Sequence, residues 1–411
     1  MHRKYVIIGN SAAAVGAVEA IRRNDRNGSI VIFSKESQST YSRPLISYYN
    51  QGKVGRESIY FRPDDFYEKN DCDFRPGTSV VKIDIHSCTI TTDSGSDEKY
   101  DRLLIATGSE PVVPPFPGLD TVSNVRTYTS FDDALALEEL ISSGLSRVLI
   151  VGAGLIGLKC AEGISKKADV TCVDLSDKVL SSILDDVSSD LISDHIRSNG
   201  IKLVLGNAVK AFSGNKAELA DGSRIDFDVL VIASGVRPCA SLFKNAGGLT
   251  GKGIIIDDHC RTSAENVFAA GDCVESVDMS TGKYKVMALL PNAYMQGECA
   301  GSNMSDTECV FNKAIPMNAL TLFGLHILTA GSYTGEVSDD SEGNDIRRFY
   351  HSDNRLNGYI LISNIDKAGI YTSMIRDRVP LDTIDFGLVR KAPGLMAFGR
   401  VYRDKTLGGK S

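Results

Sequence analysis

Several absences narrow the chemistry before any motif is considered. No apolar run approaches the ~20 residues that a membrane-spanning helix needs. Met1-His2-Arg3-Lys4 passes directly into the strand-like Tyr5-Val6-Ile7-Ile8, with no signal-peptide pattern. A cytoplasmic protein is therefore expected. There is no basic excess: 45 Lys and Arg stand against 52 Asp and Glu, a net charge of -7, which argues against nucleic-acid or anionic-membrane binding. The nine cysteines are odd in number with no C-x-x-C pair, and the six histidines show no ligand spacing. Neither a disulfide framework nor a zinc or iron–sulfur site is indicated, so no metal is expected. Low-complexity tracts and short internal repeats are missing too. What remains is a globular chain whose 411 residues imply two or three domains.

The first feature present is a βαβ unit. Tyr5–Ile8 reads as a buried parallel strand, a helical pattern runs to Arg23, and Ile30–Phe33 is a second strand. The turn between strand and helix, Gly9-Asn10-Ser11-Ala12-Ala13-Ala14, is G-x-S-x-x-A where a dinucleotide site carries G-x-G-x-x-G/A. Gly9 permits the tight turn and Ala14 suits the third position. Ser11 departs from the pattern, although its hydroxyl can donate to a phosphate at the helix N-terminus. Glu36 follows the second strand, one or two positions late for the acid that takes a ribose. Downstream, a strand ends in Ala106-Thr107-Gly108, which brings bare backbone close to a ligand, and Pro111–Pro117 looks like a domain crossing.

The second half opens with the strongest signal. Arg147–Val151 is a strand, Gly152-Ala153-Gly154-Leu155-Ile156-Gly157 is a full G-x-G-x-x-G, and a helix follows. The next strand ends in Asp174, 22 residues after Gly152, close to the ~20 expected for the acid that binds the adenosine ribose. Asp174 followed by Leu175-Ser176 favours NADH over NADPH, because a 2'-phosphate would be repelled and would lack a cation. A second small-residue turn, Ala233-Ser234-Gly235, echoes Ala106-Thr107-Gly108, and a later strand ends in Gly271-Asp272. Pro291-Asn292-Ala293 opens a helix whose N-terminal dipole suits an anionic ring. From about Asn312 strands and one helix form an α+β module without a nucleotide motif.

In their order, these motifs resemble the two-dinucleotide-fold flavoproteins of the pyridine nucleotide–disulfide oxidoreductase superfamily. The likeness is greatest to NADH:rubredoxin oxidoreductases, the FAD/NAD part of assimilatory nitrite reductases, and NADH oxidases. The resemblance implies an α/β fold with two Rossmann-like domains, one for FAD and one for NAD, plus a C-terminal α+β interface domain. The expected boundaries are 1–112 with 242–312 for FAD, 113–241 for NAD(H), and 313–411 for the interface domain, which in such proteins often supports a homodimer. It further implies that FAD is held by Gly9, Ser11, Ala14, Glu36, Arg43, Pro44 and Ala106-Thr107-Gly108. Gly271-Asp272 would meet the ribityl chain, and Asn292 and Ala293 the flavin pyrimidine edge. NADH falls to Gly152, Gly154, Gly157, Asp174 and Gly235.

The departures lie in Tyr41-Ser42-Arg43-Pro44-Leu45-Ile46-Ser47-Tyr48-Tyr49. Aligning Tyr48-Tyr49 with the relatives' Y-Y puts Pro44 where single-cysteine oxidases and peroxidases carry the redox cysteine. Tyr48 takes the place of the lysine in the R-P-x-L-S-K of ferredoxin-reductase relatives, and Lys159 replaces the glutamate of I-G-x-E. Tyr48 and Lys159 are thus the catalytic candidates: either the charged pair has exchanged and Lys159 brings positive charge near flavin N5, or Lys159 is a solvated helix residue.

Three functions follow. The first is an NADH-dependent flavoprotein passing electrons singly to an iron–sulfur carrier of rubredoxin or ferredoxin type, alone or within a larger redox enzyme. The second is an NADH oxidase forming peroxide, and the third an NADH-binding module without turnover. The tail residues Arg390, Lys391, Arg400, Arg403, Lys405 and Lys410, against Asp404 alone, offer a docking patch for an acidic carrier. Cys160, Cys172 and Cys273 read as packing residues.

Overall fold

The computed structural model describes residues 2–312, 314–394 and 397–398. Arg400, Arg403, Asp404, Lys405 and Lys410 of the expected tail patch lie outside them. The β-branched runs noted in the sequence form two parallel sheets of five strands each. The first is built from β1 (Lys4–Ile8), β2 (Ser29–Phe33), β3 (Cys72–Arg75) and β4 (Arg102–Ile105). The second comprises β5 (Val125–Arg126), β6 (Arg147–Val151), β7 (Asp169–Val173), β8 (Lys202–Val204) and β9 (Val229–Ile232). The chain then returns to the first sheet as β10 (Val267–Ala269), which pairs with β4. The strand orders are β10-β4-β1-β2-β3 and β8-β7-β6-β9-β5. In each, the order reverses beside the glycine-turn strand, β1 or β6, and a switch point of this kind opens a ligand crevice at the strands' C-terminal ends.

The helices that fix these turns are α1 (Ala12–Asn24), the short α2 (Ile46–Asn50), α3 (Leu155–Ile164) and α4 (Leu290–Met304). Helices α1 and α4 pack unusually close. A Cβ on Gly297 would lie 1.9 Å from the Ala13 carbonyl oxygen, and one on Gly301 2.4 Å from that of Ala17. This contact locks the N-terminal ends of both helices beside the first crevice. A single methyl at Gly297 would force them apart.

After β10 come a hairpin, β11 (Val274–Asp278) and β12 (Lys283–Val286), and then an antiparallel sheet. Its strands are β13 (Met317–Leu322), β14 (Leu325–Gly331), β15 (Glu336–Asp339), β16 (Ile346–Ser352) and β17 (Arg355–Ile362), in the order β13-β14-β17-β16-β15. Alternation along β17 shows how it is held. Ile360 and Ile362 join the apolar cluster of the second parallel sheet, whereas Tyr359 and Leu361 pack under the helix Ala368–Arg376. The last described helix is α5 (Phe386–Lys391). The α/β fold with two Rossmann-like units and a C-terminal α+β module is thus as the sequence implied.

Candidate functional site

The glycine turns have the same construction in both sheets. Gly9 has φ +114° and Gly152 φ +118°, a region L-residues avoid. A Cβ on Gly9 would stand 2.0 Å from the Ala106 carbonyl oxygen, and one on Gly152 2.2 Å from that of Ala233. The Ala106 and Ala233 amides in turn bond the last carbonyls of β1 and β6, Ile8 and Val151, each at 2.8 Å. Each Gly turn is therefore pressed against an Ala-(Thr/Ser)-Gly turn, and bare backbone from two strands frames each crevice.

The two crevices open into one cavity of about 1810 Å³. A single small-molecule site occupies ~300–1,000 Å³, so two dinucleotides have room. Of the residues expected at the first crevice, Gly9, Ser11, Glu36, Arg43, Pro44, Ala106, Thr107, Gly108, Gly271, Asp272 and Ala293 line it. Ala14 and Asn292 are buried outside the wall, within α1 and α4. At the second crevice Gly152, Gly154, Asp174 and Gly235 line the cavity, while Gly157 packs α3 against the turn: its Cβ would stand 1.9 Å from the Gly152 carbonyl oxygen.

The polar groups are set for anionic ligands with hydroxyls. Ser11 is the N-cap of α1, and its side chain makes no capping bond, so the hydroxyl is free for a phosphate. Arg43 bonds the Glu36 carboxylate at 2.5 Å, the Tyr41 hydroxyl at 2.9 Å and the Thr129 carbonyl at 2.7 Å. Burial works against the Arg43 charge, but Tyr41, Glu36 and Asp272 outweigh it and hold its pKa above the ordinary value. Burial raises the Asp272 pKa, with Arg43 and the Ser109 hydroxyl at 3.4 Å opposing. Asp174 accepts from the Ala153 amide at 2.6 Å and the Ser176 amide at 2.8 Å, which fixes its carboxylate at the edge of the second crevice.

Where Pro44 and Tyr48 line the cavity, α2 meets α3, which in turn meets β13. The Lys159 side chain is 15% exposed. Its ammonium pairs with Glu162 and donates to the Thr321 carbonyl at 3.0 Å, and it stands 4.5 Å from the Tyr48 ring centroid. Glu162, only 4% exposed, also accepts from the Phe323 amide at 2.8 Å.

Three contributors escaped the sequence reading. Glu162 could have been found as the opposite charge one helical turn after Lys159. Buried Gln296 accepts from the Gly271 amide at 2.9 Å and so supports the Gly271-Asp272 turn; its signal was its place one turn beyond Asn292. Cys239 lines the cavity beside the Ala106–Gly108 turn, to which the Thr107 hydroxyl holds its carbonyl at 2.8 Å. Burial first, and Glu110 second, push its thiol up to about 11, so it is protonated at neutral pH. Cys273 is fully buried, with its thiol 3.4 Å from the Ala270 carbonyl, and it packs behind the wall as expected.

Comparison with known proteins adds identity to this geometry. The family described as pyridine nucleotide-disulphide oxidoreductase matches residues 3–297. The chain is 33% identical over 419 residues to the NADH-dependent phenylglyoxylate dehydrogenase subunit epsilon of Aromatoleum evansii, covering 98% of both chains. It is 32% identical over 319 residues to an NADH oxidase of Methanocaldococcus jannaschii, covering 74% of this chain and 71% of that one. Among solved structures, the covalent putidaredoxin reductase–putidaredoxin complex matches with a TM-score of 0.88 at 23% identity, over 96% of this chain and 99% of that one. At that identity the likeness is one of fold.

Proposed function

The chain belongs to the pyridine nucleotide-disulphide oxidoreductase family and is an FAD-dependent NADH oxidoreductase; from that premise we propose that it delivers electrons one at a time to an iron–sulfur carrier protein. The residues fit FAD on features of this structure: an uncapped hydroxyl at the N-terminus of α1, backbone turns that no side chain could replace, and a cation and a carboxylate facing one crevice. FAD held there would supply the chemistry of taking hydride from NADH and releasing the two electrons singly.

The chain's own residues set the rest. Gly9, Ser11 and the Ala106–Gly108 turn hold the FAD diphosphate side, while Arg43 and Asp272 fix its sugar and ribityl portions. Gly152, Gly154 and Asp174 hold NADH so that the two rings meet by positioning rather than covalent chemistry. Lys159 keeps a desolvated positive charge beside Tyr48, and both act on the reacting rings.

The observation that carries the proposal is the wall formed by Pro44, Tyr48 and Lys159, the last paired with Glu162 behind it. A covalent two-electron relay needs a thiolate there. Pro44 has no thiol, and Cys239, at the other turn, keeps its proton. Similarity over the whole chain to a subunit of an NADH-dependent dehydrogenase supports a carrier that belongs to a larger redox enzyme. Similarity to an NADH oxidase supports a second reading, reduction of oxygen to peroxide. An acceptor screen on flavin-loaded protein separates them. NADH-driven reduction of rubredoxin or ferredoxin faster than oxygen consumption is expected, and the reverse order would reject the first reading.

A further inference from the structure

The β11–β12 hairpin leaves the cavity wall and returns to it. Asp272, two residues before β11, lines the cavity, as does Ala288, two residues after β12. Its register pairs Val277 with Tyr284, Ser276 with Lys285 and Asp278 with Lys283. Val277 is 44% exposed and Tyr284 52%, so a directly opposed apolar–aromatic pair faces solvent. Lys283 and Lys285, on either side of Tyr284 along the edge strand β12, root on the strand's other face and are exposed as well.

Asp278 does not neutralise Lys283. Its carboxylate is buried and accepts from the Ser280 amide at 2.8 Å and the Ser280 hydroxyl at 2.7 Å. Met279, at the hairpin turn, packs on the same apolar cluster as Phe386 and Val389 of α5, whose last turn carries Arg390 and Lys391. Arg390 is taken by Asp340 at 3.2 Å, but Lys391 is exposed. In a chain of net charge -7, this is a positive, partly aromatic projection. Tyr284 stands four residues from Ala288, ~13 Å of extended chain from the cavity wall.

We propose that the β11–β12 hairpin is the docking surface for the one-electron acceptor, an acidic iron–sulfur protein that covers Tyr284 and Val277 and sets its carboxylates against Lys283 and Lys285. This rests on the one-electron reading above. The lysines steer the encounter, and Tyr284 with Val277 supplies the desolvated contact that holds it. The strands place the docked carrier beside the Asp272 and Ala288 wall.

The test measures NADH-driven reduction of rubredoxin and of a [2Fe–2S] ferredoxin, with menadione as a small neutral acceptor that needs no docking. Lys283→Glu with Lys285→Glu should raise the carrier KM at least tenfold and flatten its dependence on ionic strength. Tyr284→Ser should raise KM without changing that dependence. The KM for NADH and the menadione rate should stay at wild-type values in both variants, which also shows that they fold and bind flavin. An unchanged carrier KM in a wild type that reduces the carrier would overturn the docking surface alone. A wild type that reduces menadione but neither carrier would overturn the one-electron reading, and the docking surface with it. If instead these substitutions convert a wild-type dimer to a monomer in sedimentation, the hairpin is a self-association face and the proposal is wrong.

Discussion

Replacing Lys159 with Met removes the ammonium from a site where three groups depend on it. Glu162 is 4% exposed and would keep only the Phe323 amide, the Thr321 carbonyl would lose a donor, and the Tyr48 ring its cation. Breaking a buried ion pair by removing one partner costs ~3–5 kcal/mol, because the remaining charge stays desolvated. Lys159→Met should therefore destabilise by ~3 kcal/mol or more, and Glu162→Gln by a similar amount. Lys159→Met with Glu162→Leu should recover most of that, since a buried pair can often be replaced by apolar side chains at little net cost. With Glu162→Leu as the matching single variant, the double variant should be more stable than the sum of the two single effects by ~3 kcal/mol or more. The chain has no tryptophan, so urea unfolding is best followed by far-ultraviolet circular dichroism. A Lys159→Met variant within ~0.5 kcal/mol of wild type, the ordinary range of surface substitutions, would refute the reasoning. Flavin reduction by NADH gives a second readout: Lys159→Arg should keep more of the rate than Lys159→Met if the charge itself acts on the reacting rings.

Other consequences are equally specific. Gly152→Ala puts a Cβ 2.2 Å from the Ala233 carbonyl at a φ of +118°, so NADH binding should be lost while flavin content, measured by absorbance, remains near wild type. Gly9→Ala makes the corresponding clash with Ala106 and should instead yield protein lacking flavin. Asp174→Ala combined with Leu175→Arg removes the carboxylate and adds a cation at an exposed position, and should shift the NADPH-to-NADH ratio of kcat/KM at least a hundredfold toward NADPH. The Arg147 side chain, then its amide, hold the Asp228 carboxyl down at about 2 from an ordinary 3.8. This depressed pKa contributes stability that is complete above ~4 and is lost as pH falls from there toward 2. Solvent around Arg147 keeps it small. Asp228→Asn should be slightly less stable than wild type at pH 6 in urea titrations, with the difference shrinking as the pH approaches 2.

What could be read from the sequence was what depends on local backbone. The two glycine turns, the two Ala-(Thr/Ser)-Gly turns and the Gly271-Asp272 strand end each announce themselves within a few residues, because their geometry excludes other side chains. Ser11 departs from the glycine pattern, and as an N-cap whose side chain makes no capping bond it is free to donate, in keeping with the phosphate contact its hydroxyl suggests. What could not be read came from long-range packing. Glu162 holds a turn 161 residues away, and α1 meets α4 where Gly297 and Gly301 press on Ala13 and Ala17, 284 residues earlier in each case. Cys260, Cys299 and Cys309 look scattered, but contact with the Cys260 thiol, helped by that of Cys309, holds the Cys299 thiol below its ordinary value. The expected basic tail shows a related limit: sequence counts Arg390 as free, while the fold pairs it with Asp340.

The central claim is that electrons leave this protein singly, without a thiol relay. Anaerobic mixing of flavin-loaded protein with one equivalent of NADH and excess oxidised rubredoxin or ferredoxin tests it most directly. The account predicts rapid bleaching of the flavin, its return, and two carriers reduced for each NADH consumed. Flavin that bleaches and stays reduced until oxygen is admitted, with the carriers still oxidised, would contradict it.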